Sequence, residues 1–303
     1  MTAEHHNLSR ILALRDDLRR RDLHFVAITI ARGGSRRYPR KNLVSVCGKP
    51  LVTWSVIQSL SSHLVTETYV STDDEEIADV SRAAGARIIW RYESRDDVCG
   101  NVPFGHAIRQ IREHHSVDFV LCKLPTNPVQ HPWDFDEGFR IFWEARKTDR
   151  RAHELIQVVP NLETVLHERV SDNVSRPCLG NKSYAYMDAA GSAWNIADAD
   201  WYLYYVATAP KTDKEIDVAF TDIYRQNEAF TGRDWLYYYQ GEHYQRFDLD
   251  LPEQLGVIED MMRRYILTTP DVYERYKAMG EALPLIGPVL EERVWPPEKM
   301  PNR

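Results

Sequence analysis

The chain has 303 residues, of which 43% are apolar, 27% charged and 11% aromatic, and its formal net charge is −7. That composition suits a soluble globular protein of two domains, or of one large α/β domain with an insertion. The acidic balance speaks against a dedicated nucleic-acid binder, and no apolar run approaches the roughly 20 residues of a membrane span.

Residues 1–24 read as an N-terminal helical extension. Leu8, Ile11, Leu12, Arg15 and Leu18 follow helical spacing, which predicts a short amphipathic helix packed on the body or on a partner. Glu4, Asp16 and Asp17 argue against a secretory or organelle-targeting leader in this stretch. The four cysteines, Cys47, Cys99, Cys122 and Cys178, have no zinc-site spacing. The expectation is a cytoplasmic protein with reduced thiols.

Phe25 to Ile30 is a continuous apolar run closed by Arg32-Gly33-Gly34, the pattern of a strand buried on both faces. A helix is expected over 50–60, with Pro50 at its start. A strand follows over 66–71. The next helix, 74–84, has acids in its first turn and Gly85 just past its end. Further strands are expected over 86–90 and 117–122, and helices over 103–114 and 134–145. Strands alternating with helices of this length predict βαβ units, hence an α/β core over 25–145 with an open, mostly parallel sheet and helices on both faces.

From about residue 146 to 240 the alternation breaks and aromatics crowd the sequence, among them Tyr184, Trp194, Trp201, Tyr204, Trp235 and Tyr239. These suit either core packing or a subunit interface. Residues 241–267 read as a return to the core, with Asp248-Leu249-Asp250 ahead of a helix from 252 to about 266. Leu255, Ile258, Met262 and Tyr265 would give that helix its apolar face. Residues 268–303 form a Pro-rich tail.

The most informative segment is Ala31 to Asn42, ARGGSRRYPRKN. It follows the first strand directly, where open α/β sheets bind nucleotides. Gly33 and Gly34 let backbone N–H groups approach an anion. Arg32, Arg36, Arg37, Arg40 and Lys41 supply charge, the arginines with bidentate geometry. Neither a GxxxxGK[ST] nor a GxGxxG pattern is present, so an ATPase P-loop and a dinucleotide fingerprint are both excluded. Asp248 and Asp250, two apart on an expected strand, would point the same way and could share a hard cation. Taken alone, the pair also suits surface acids or a helix start. Asp73 and Asp74 suit a helix cap. His5-His6 and His114-His115 have no ligand spacing, whereas His106 falls where it could approach the site.

ARGGSRRYPRKN resembles the ARGGSKxxxxKN loop of the CMP-sialic acid synthetases, the acylneuraminate cytidylyltransferases. The likeness continues in order through Gly48-Lys49-Pro50-Leu51, Ser71-Thr72-Asp73-Asp74, Arg91 and Asp97, Pro125-Thr126-Asn127-Pro128 (the family's PTSP) and Gly191-Ser192-Ala193-Trp194. It continues to Phe247-Asp248-Leu249-Asp250 with Pro252-Glu253, so that it runs in order over residues 25 to 265. The resemblance implies a three-layer, Rossmann-like nucleotidyltransferase fold, an inserted dimerisation region over 146–240 and a homodimer. It also implies a transfer in which a sugar-acid hydroxyl attacks the α-phosphorus of CTP and pyrophosphate leaves. Arg32, Gly33, Gly34, Ser35, Asn42, Arg91, Cys99 and Asn101 would bind the nucleotide. Arg32, Arg36, Lys41 and Asp250 would carry the chemistry, and Asp248 with Asp250 would hold Mg²⁺. No covalent intermediate is implied.

Several positions depart from the family pattern. Arg36 stands for a lysine, Leu124 for a glutamine, and Val129-Gln130 for the segment carrying an arginine. Cys99 and Asn101 fall where small residues and serine frame the cytosine. Because Leu124 and Gln130 occupy positions that tend to lie near the sugar acid, the expected change is in the acceptor. Another nonulosonic acid, a 2-keto sugar acid or a phosphonate would suit. Transfer from another nucleoside triphosphate and a non-catalytic nucleotide-binding homologue are the alternatives.

Overall fold

A computed structural model describes residues 8–91, 101–149, 152–160, 167–171, 174–177, 187–188, 193–208, 237–269 and 271–278. Its centre is one mostly parallel sheet. Strand β1 (Phe25–Ile30) lies in the middle, with β4 (Glu67–Thr72) and then β5 (Arg87–Trp90) parallel on one side. On the other side come β6 (Phe119–Lys123), β11 (Trp194–Asp198) and β7 (Glu154–Pro160). Strand β6 runs parallel to β1 and β11 antiparallel to both of its neighbours. Beyond β7, β12 (Tyr237–Gln240) pairs parallel to it along one edge and β10 (Met187–Asp188) antiparallel at its end. Two short ribbons stand apart from this sheet: β2–β3 (Ser45–Val46 and Lys49–Pro50) and β8–β9 (His167–Ser171 and Val174–Pro177).

The apolar run of β1 is explained by its two covered faces. Phe25 and Ala27 pack under α1 (Leu8–Arg20) and α5 (Pro132–Thr148), with Phe119, Phe139 and Phe142 around them. Val26 and Ile28 face α4 (Asn101–Arg112) and α6 (Ala199–Thr208), meeting Ile108 and Tyr202. Burying each such large side chain stabilises the fold by about 1.5–3 kcal/mol. Helices α2 (Leu51–Ser61) and α3 (Glu75–Ala83) complete the α1 and α5 layer beside β4, packed through Val52, Val56, Val70 and Ile77. The molecule is thus a three-layer α/β/α sandwich, as expected.

Helix α1 is integral to the core, since Ile11, Leu14 and Leu18 are buried within it. Helix α3 starts as its sequence suggests: Asp74 caps it, accepting from the Ile77 N–H at 3.0 Å. It stops at Gly85, whose φ of +100° suits a residue without a side chain. The β2–β3 turn has positive φ at both Cys47 and Gly48, the backbone that a two-residue hairpin needs.

The stretch 146–240 is not an insertion throughout. Strands β7 and β11 lie within the central sheet, and Trp194 and Tyr202 are buried core. The aromatic density there is partly core packing, while Tyr204 on α6 is exposed. Tyr184 and all of 209–236, Trp235 included, lie outside the described residues. The helix expected over 252–266 is three windings in succession. A 3₁₀ turn, Pro252–Gln254, leads into α7 (Leu255–Met261) and a π-helical turn, Met262–Ile266. The extra residue in the π turn rotates the apolar face, so Ile258, Met262 and Ile266 are buried while Tyr265 turns outward and stacks on Tyr244. A final helix, α8 (Val272–Ala278), packs Tyr273 and Tyr276 back onto the body.

Candidate functional site

Strand order reverses beside β1: the chain runs outward from β1 through β4 to β5, then returns to the other side of β1 as β6. The loops leaving β1, β4 and β6 therefore converge at one end of the sheet, where such a crevice forms. They are the basic loop 31–42, the acidic turn 73–74 and the Pro125–Pro128 loop.

The basic loop is tied down from within. Asn42 is buried and its amide donates to the Arg32 carbonyl at 2.9 Å, closing the loop on itself. The Asn42 side-chain oxygen is buried without a hydrogen-bond donor. Arg40 adopts a left-handed backbone (φ 56°) and turns away to pair with Asp74 and Glu76 at the start of α3. It therefore braces the loop.

The glycines act differently from the sequence expectation. Gly33 and Gly34 do not use positive φ. A side chain at Gly33 would meet the Asp74 carboxylate at 2.4 Å, and the Gly33 N–H donates to Asp73 at 2.9 Å. One backbone donor expected for a phosphate is thus already occupied, because the β4 turn brings its own carboxylates to the loop. Around Gly34 a side chain would meet no protein atom. The Ser35 N–H bonds back to the Gly33 carbonyl at 3.2 Å, and Arg36 is exposed.

Arg91, just after β5, is buried, and its backbone N–H donates to Thr72 at 3.0 Å. Burial lowers its pKa, Asp73 opposes that, and the nearby Arg32 adds to it. The guanidinium Nε has no hydrogen-bond partner. Arg32, Arg91 and Asp73 therefore share one neighbourhood. His106 reaches the same vicinity: burial, then Arg109 and Arg91, lower its pKa and favour the neutral ring. Cys99 lies outside the described residues. Asn101 is the first residue of α4, and its side chain is outside them too.

The aspartate pair sits in irregular chain rather than in a strand, a correction to the sequence reading. One main-chain bond holds it, from the Leu249 N–H to the Thr126 carbonyl at 2.8 Å. Gln254 accepts from the Asp250 and Leu251 N–H groups at 2.6 and 2.7 Å, shaping the turn into α7. Asp250 meets the basic loop directly: Lys41 donates to it at 2.7 Å and Arg37 at 2.8 Å. Lys41 and Asp250, 209 residues apart in sequence, are in contact. Arg37, read from the sequence as one of the loop's five cations but not assigned a catalytic or nucleotide-binding role, belongs to the same group.

The two carboxylates are pushed in opposite directions. Burial raises Asp248, the Thr126 hydroxyl bonded to it opposes this, and the neighbouring Asp250 charge adds to the rise. Burial also acts to raise Asp250, but Lys41 and Arg37 outweigh it and hold Asp250 below the usual carboxylate range. One Asp248 oxygen is buried with no donor. An orphaned carboxylate oxygen next to a second carboxylate fits a hard cation. Among the described residues no cluster of three His, Cys, Asp or Glu could hold a metal. A donor set of two carboxylates suits Mg²⁺, which keeps waters and takes phosphate oxygens.

Two positions expected near an acceptor part company. Leu124 is exposed at the end of β6. Gln130 is fully buried and cannot touch a ligand there. Its carbonyl oxygen accepts from Gln157 at 2.8 Å and from the Trp194 indole at 3.1 Å. Gln245 and Asn127 belong to the same buried polar cluster.

The sheet and its crevice have the form of the α/β nucleotidyltransferase fold. In fold the chain is similar to a CMP:2-keto-3-deoxy-manno-octonic acid synthetase solved in complex with CTP, with a TM-score of 0.57 at 15% identity, covering 80% of this chain and 99% of that one. It is also similar to a cytidylyltransferase from Leptospira borgpetersenii, with a TM-score of 0.53 at 13% identity, covering 86% and 98%. In sequence, residues 26–130 match the cytidylyltransferase family model. The chain is 36% identical over 126 residues to an N-acylneuraminate cytidylyltransferase A of Danio rerio, spanning 41% of this chain and 28% of that protein. It is 34% identical over 108 residues to a pseudaminic acid cytidylyltransferase of Campylobacter jejuni, spanning 34% of this chain and 47% of that protein. The chain thus covers less than half the length of these relatives. The matched segment holds the basic loop, Asp73, Arg91 and the Pro125–Pro128 loop but stops before Asp248.

Proposed function

We propose that this protein transfers a cytidylyl group from CTP to the hydroxyl of an acidic sugar, a sialic or related nonulosonic acid, with Mg²⁺ and release of pyrophosphate. The observation that carries the reading is the contact of Lys41 and Arg37 with Asp250. It supports reading the basic loop and the aspartate pair as parts of one site, although Lys41 and Asp250 are 209 residues apart.

In the reaction the acceptor oxygen bonds to the α-phosphorus, and the bond from that phosphorus to the β-phosphate bridge oxygen breaks. The acceptor proton passes to solvent. Arg32, Arg36 and Lys41 neutralise the triphosphate, and Arg91, held by Thr72, faces the same region. Asn42 keeps Arg32 in place by bonding its carbonyl. Asp248 and Asp250 would hold Mg²⁺, which when bound supplies positive charge to offset that building on the phosphates. Transfer of this kind relies on positioning and charge stabilisation, and each well-placed group contributes about 10²–10³ in rate.

We further propose a homodimer, with the exposed part of the 146–240 region as its interface and a cytoplasmic site of action. Light scattering after size exclusion tests the dimer, and a monomer would refute it.

Pyrophosphate release should be screened with each of four nucleoside triphosphates against nonulosonic acids, 2-keto sugar acids and phosphonates, with and without Mg²⁺. Release with CTP, Mg²⁺ and a sugar acid is expected. Release with another nucleotide alone would transfer the reading to that nucleotide, and tight CTP binding without turnover on any acceptor would make the protein a nucleotide-binding homologue.

A further inference from the structure

The aspartate pair lacks the support of a sheet strand, so something else must hold it in register. The residues that do so come from the Pro125–Pro128 loop. The Thr126 carbonyl accepts the Leu249 N–H at 2.8 Å, and the Thr126 hydroxyl bonds the Asp248 carboxylate. The adjacent Asn127 is buried, and its amide donates to the Gln245 main-chain carbonyl at 2.6 Å. That amide cannot turn over. Its oxygen accepts from the Val129 N–H at 3.2 Å and from Gln130 at 3.1 Å.

Gln245 is locked from the other side. Its side-chain nitrogen donates to Asp134 at 2.5 Å, and its oxygen accepts from the Glu242 N–H at 2.7 Å. A side chain at Gly241 would lie 2.4 Å from that oxygen, so the cluster also fixes which residue precedes the turn.

We propose that Thr126 and Asn127 are positioning residues for the divalent-cation site: Thr126 orients the Asp248 carboxylate and Asn127 fixes the backbone on which Asp248 and Asp250 stand. The inference rests on the reading of those aspartates as the cation's ligands. One Asp248 oxygen is buried with no protein donor, so it would be available to a cation. Without the Thr126 bond the carboxylate is free to rotate, and without the Asn127 bond the Gln245 carbonyl keeps only the long contact from the Gln130 amide at 3.5 Å and the segment shifts. Partners of this kind typically control metal affinity by 10–100-fold.

The test is Mn²⁺ binding followed by electron paramagnetic resonance. The protein is saturated with a CTP analogue carrying carbon at the α,β bridge, and the ion held by the analogue alone is subtracted. Asp248→Asn is expected to lose the bound ion. Thr126→Val and Asn127→Asp, both close in shape to the native residues, are expected to weaken binding by 10–100-fold. Thr126→Ser, which keeps the hydroxyl, is expected to restore it. Ile108→Val, in the apolar layer under α4, should lower the melting temperature without changing Mn²⁺ affinity. If Asn127→Asp does not fold, Thr126→Val and Thr126→Ser still decide the matter. Native affinity in Thr126→Val, with loss in Asp248→Asn, would overturn the positioning claim alone. Native behaviour in Asp248→Asn would overturn the metal reading, and this inference with it.

Discussion

Lys123 ends β6 with its ammonium fully buried and no hydrogen-bond partner. It lies 5.1 Å from the centre of the Phe135 ring, and Asp134 is the charge that supports it. Burial lowers its pKa from 10.5 to about 7. Between those two pH values the unfolded chain holds a proton that the folded chain has released, so folding becomes more favourable as pH rises, by up to about 1.36 kcal/mol per pH unit. Below pH 7 the lysine carries its full cost, roughly 5 kcal/mol relative to an exposed one. Lys123→Met keeps the length and removes the charge. It also forfeits the ring contact, about 0.5–2 kcal/mol, and the attraction to Asp134. The expected net gain is about 2–3 kcal/mol at pH 6.5; at that slope it reaches zero at about pH 9 and reverses in favour of the native lysine by about pH 10.5. Urea unfolding of both proteins across pH 6.5–10 measures this, since other titrating groups are common to the two and cancel in the difference. A difference that does not change with pH, or a variant less stable than the native protein at pH 6.5, would refute the reasoning.

Asp250→Asn should abolish turnover, by about 10²–10³ or more, while the unfolding transition is preserved; native rates would remove Asp250 from the cation site. Gly33→Ala forces a Cβ to within 2.4 Å of Asp74. It should cost about 1–3 kcal/mol by displacing the α3 cap and weaken CTP binding, measured by thermal unfolding and calorimetry. Leu124→Gln restores the polar group that the family resemblance leads one to expect at the exposed end of β6. It should alter KM for the acceptor by about tenfold or more and leave KM for CTP within twofold, and equal effects on both would place Leu124 elsewhere.

Much of the core was legible because its signals are local. The run 25–30 has apolar residues on both faces, and Asp74, Gly85 and Pro50 mark helix ends through backbone chemistry that needs no tertiary context. Strands β7 and β11 were hidden for a physical reason. Strand β11 enters the sheet antiparallel between β6 and β7, so the alternation of strand and helix breaks where the sheet continues. Gln157 and Asn195 also interrupt the apolar run that a buried strand usually shows. Gln157 is tolerated because it bonds Gln130, and Asn195 because it bonds Glu154 at 2.8 Å.

The site was legible as two halves but not as a whole. The loop and the aspartates were each readable from residue type and order. Their contact was not, because nothing local links Lys41 to a residue 209 positions away. Nor could sequence show that Asp73 already occupies a backbone donor of the loop, or that Arg40 turns to Asp74 and Glu76. These internal pairs have a common logic. A loop dense in cations would repel itself, and each carboxylate drawn to it offsets that repulsion. Asp250 neutralises Lys41 and Arg37; on the proposed reading a triphosphate would take over those two cations and leave the carboxylate free for a metal ion. Metal and nucleotide should on this account favour each other's binding, because each removes from Asp250 or supplies to the loop the charge that the other needs.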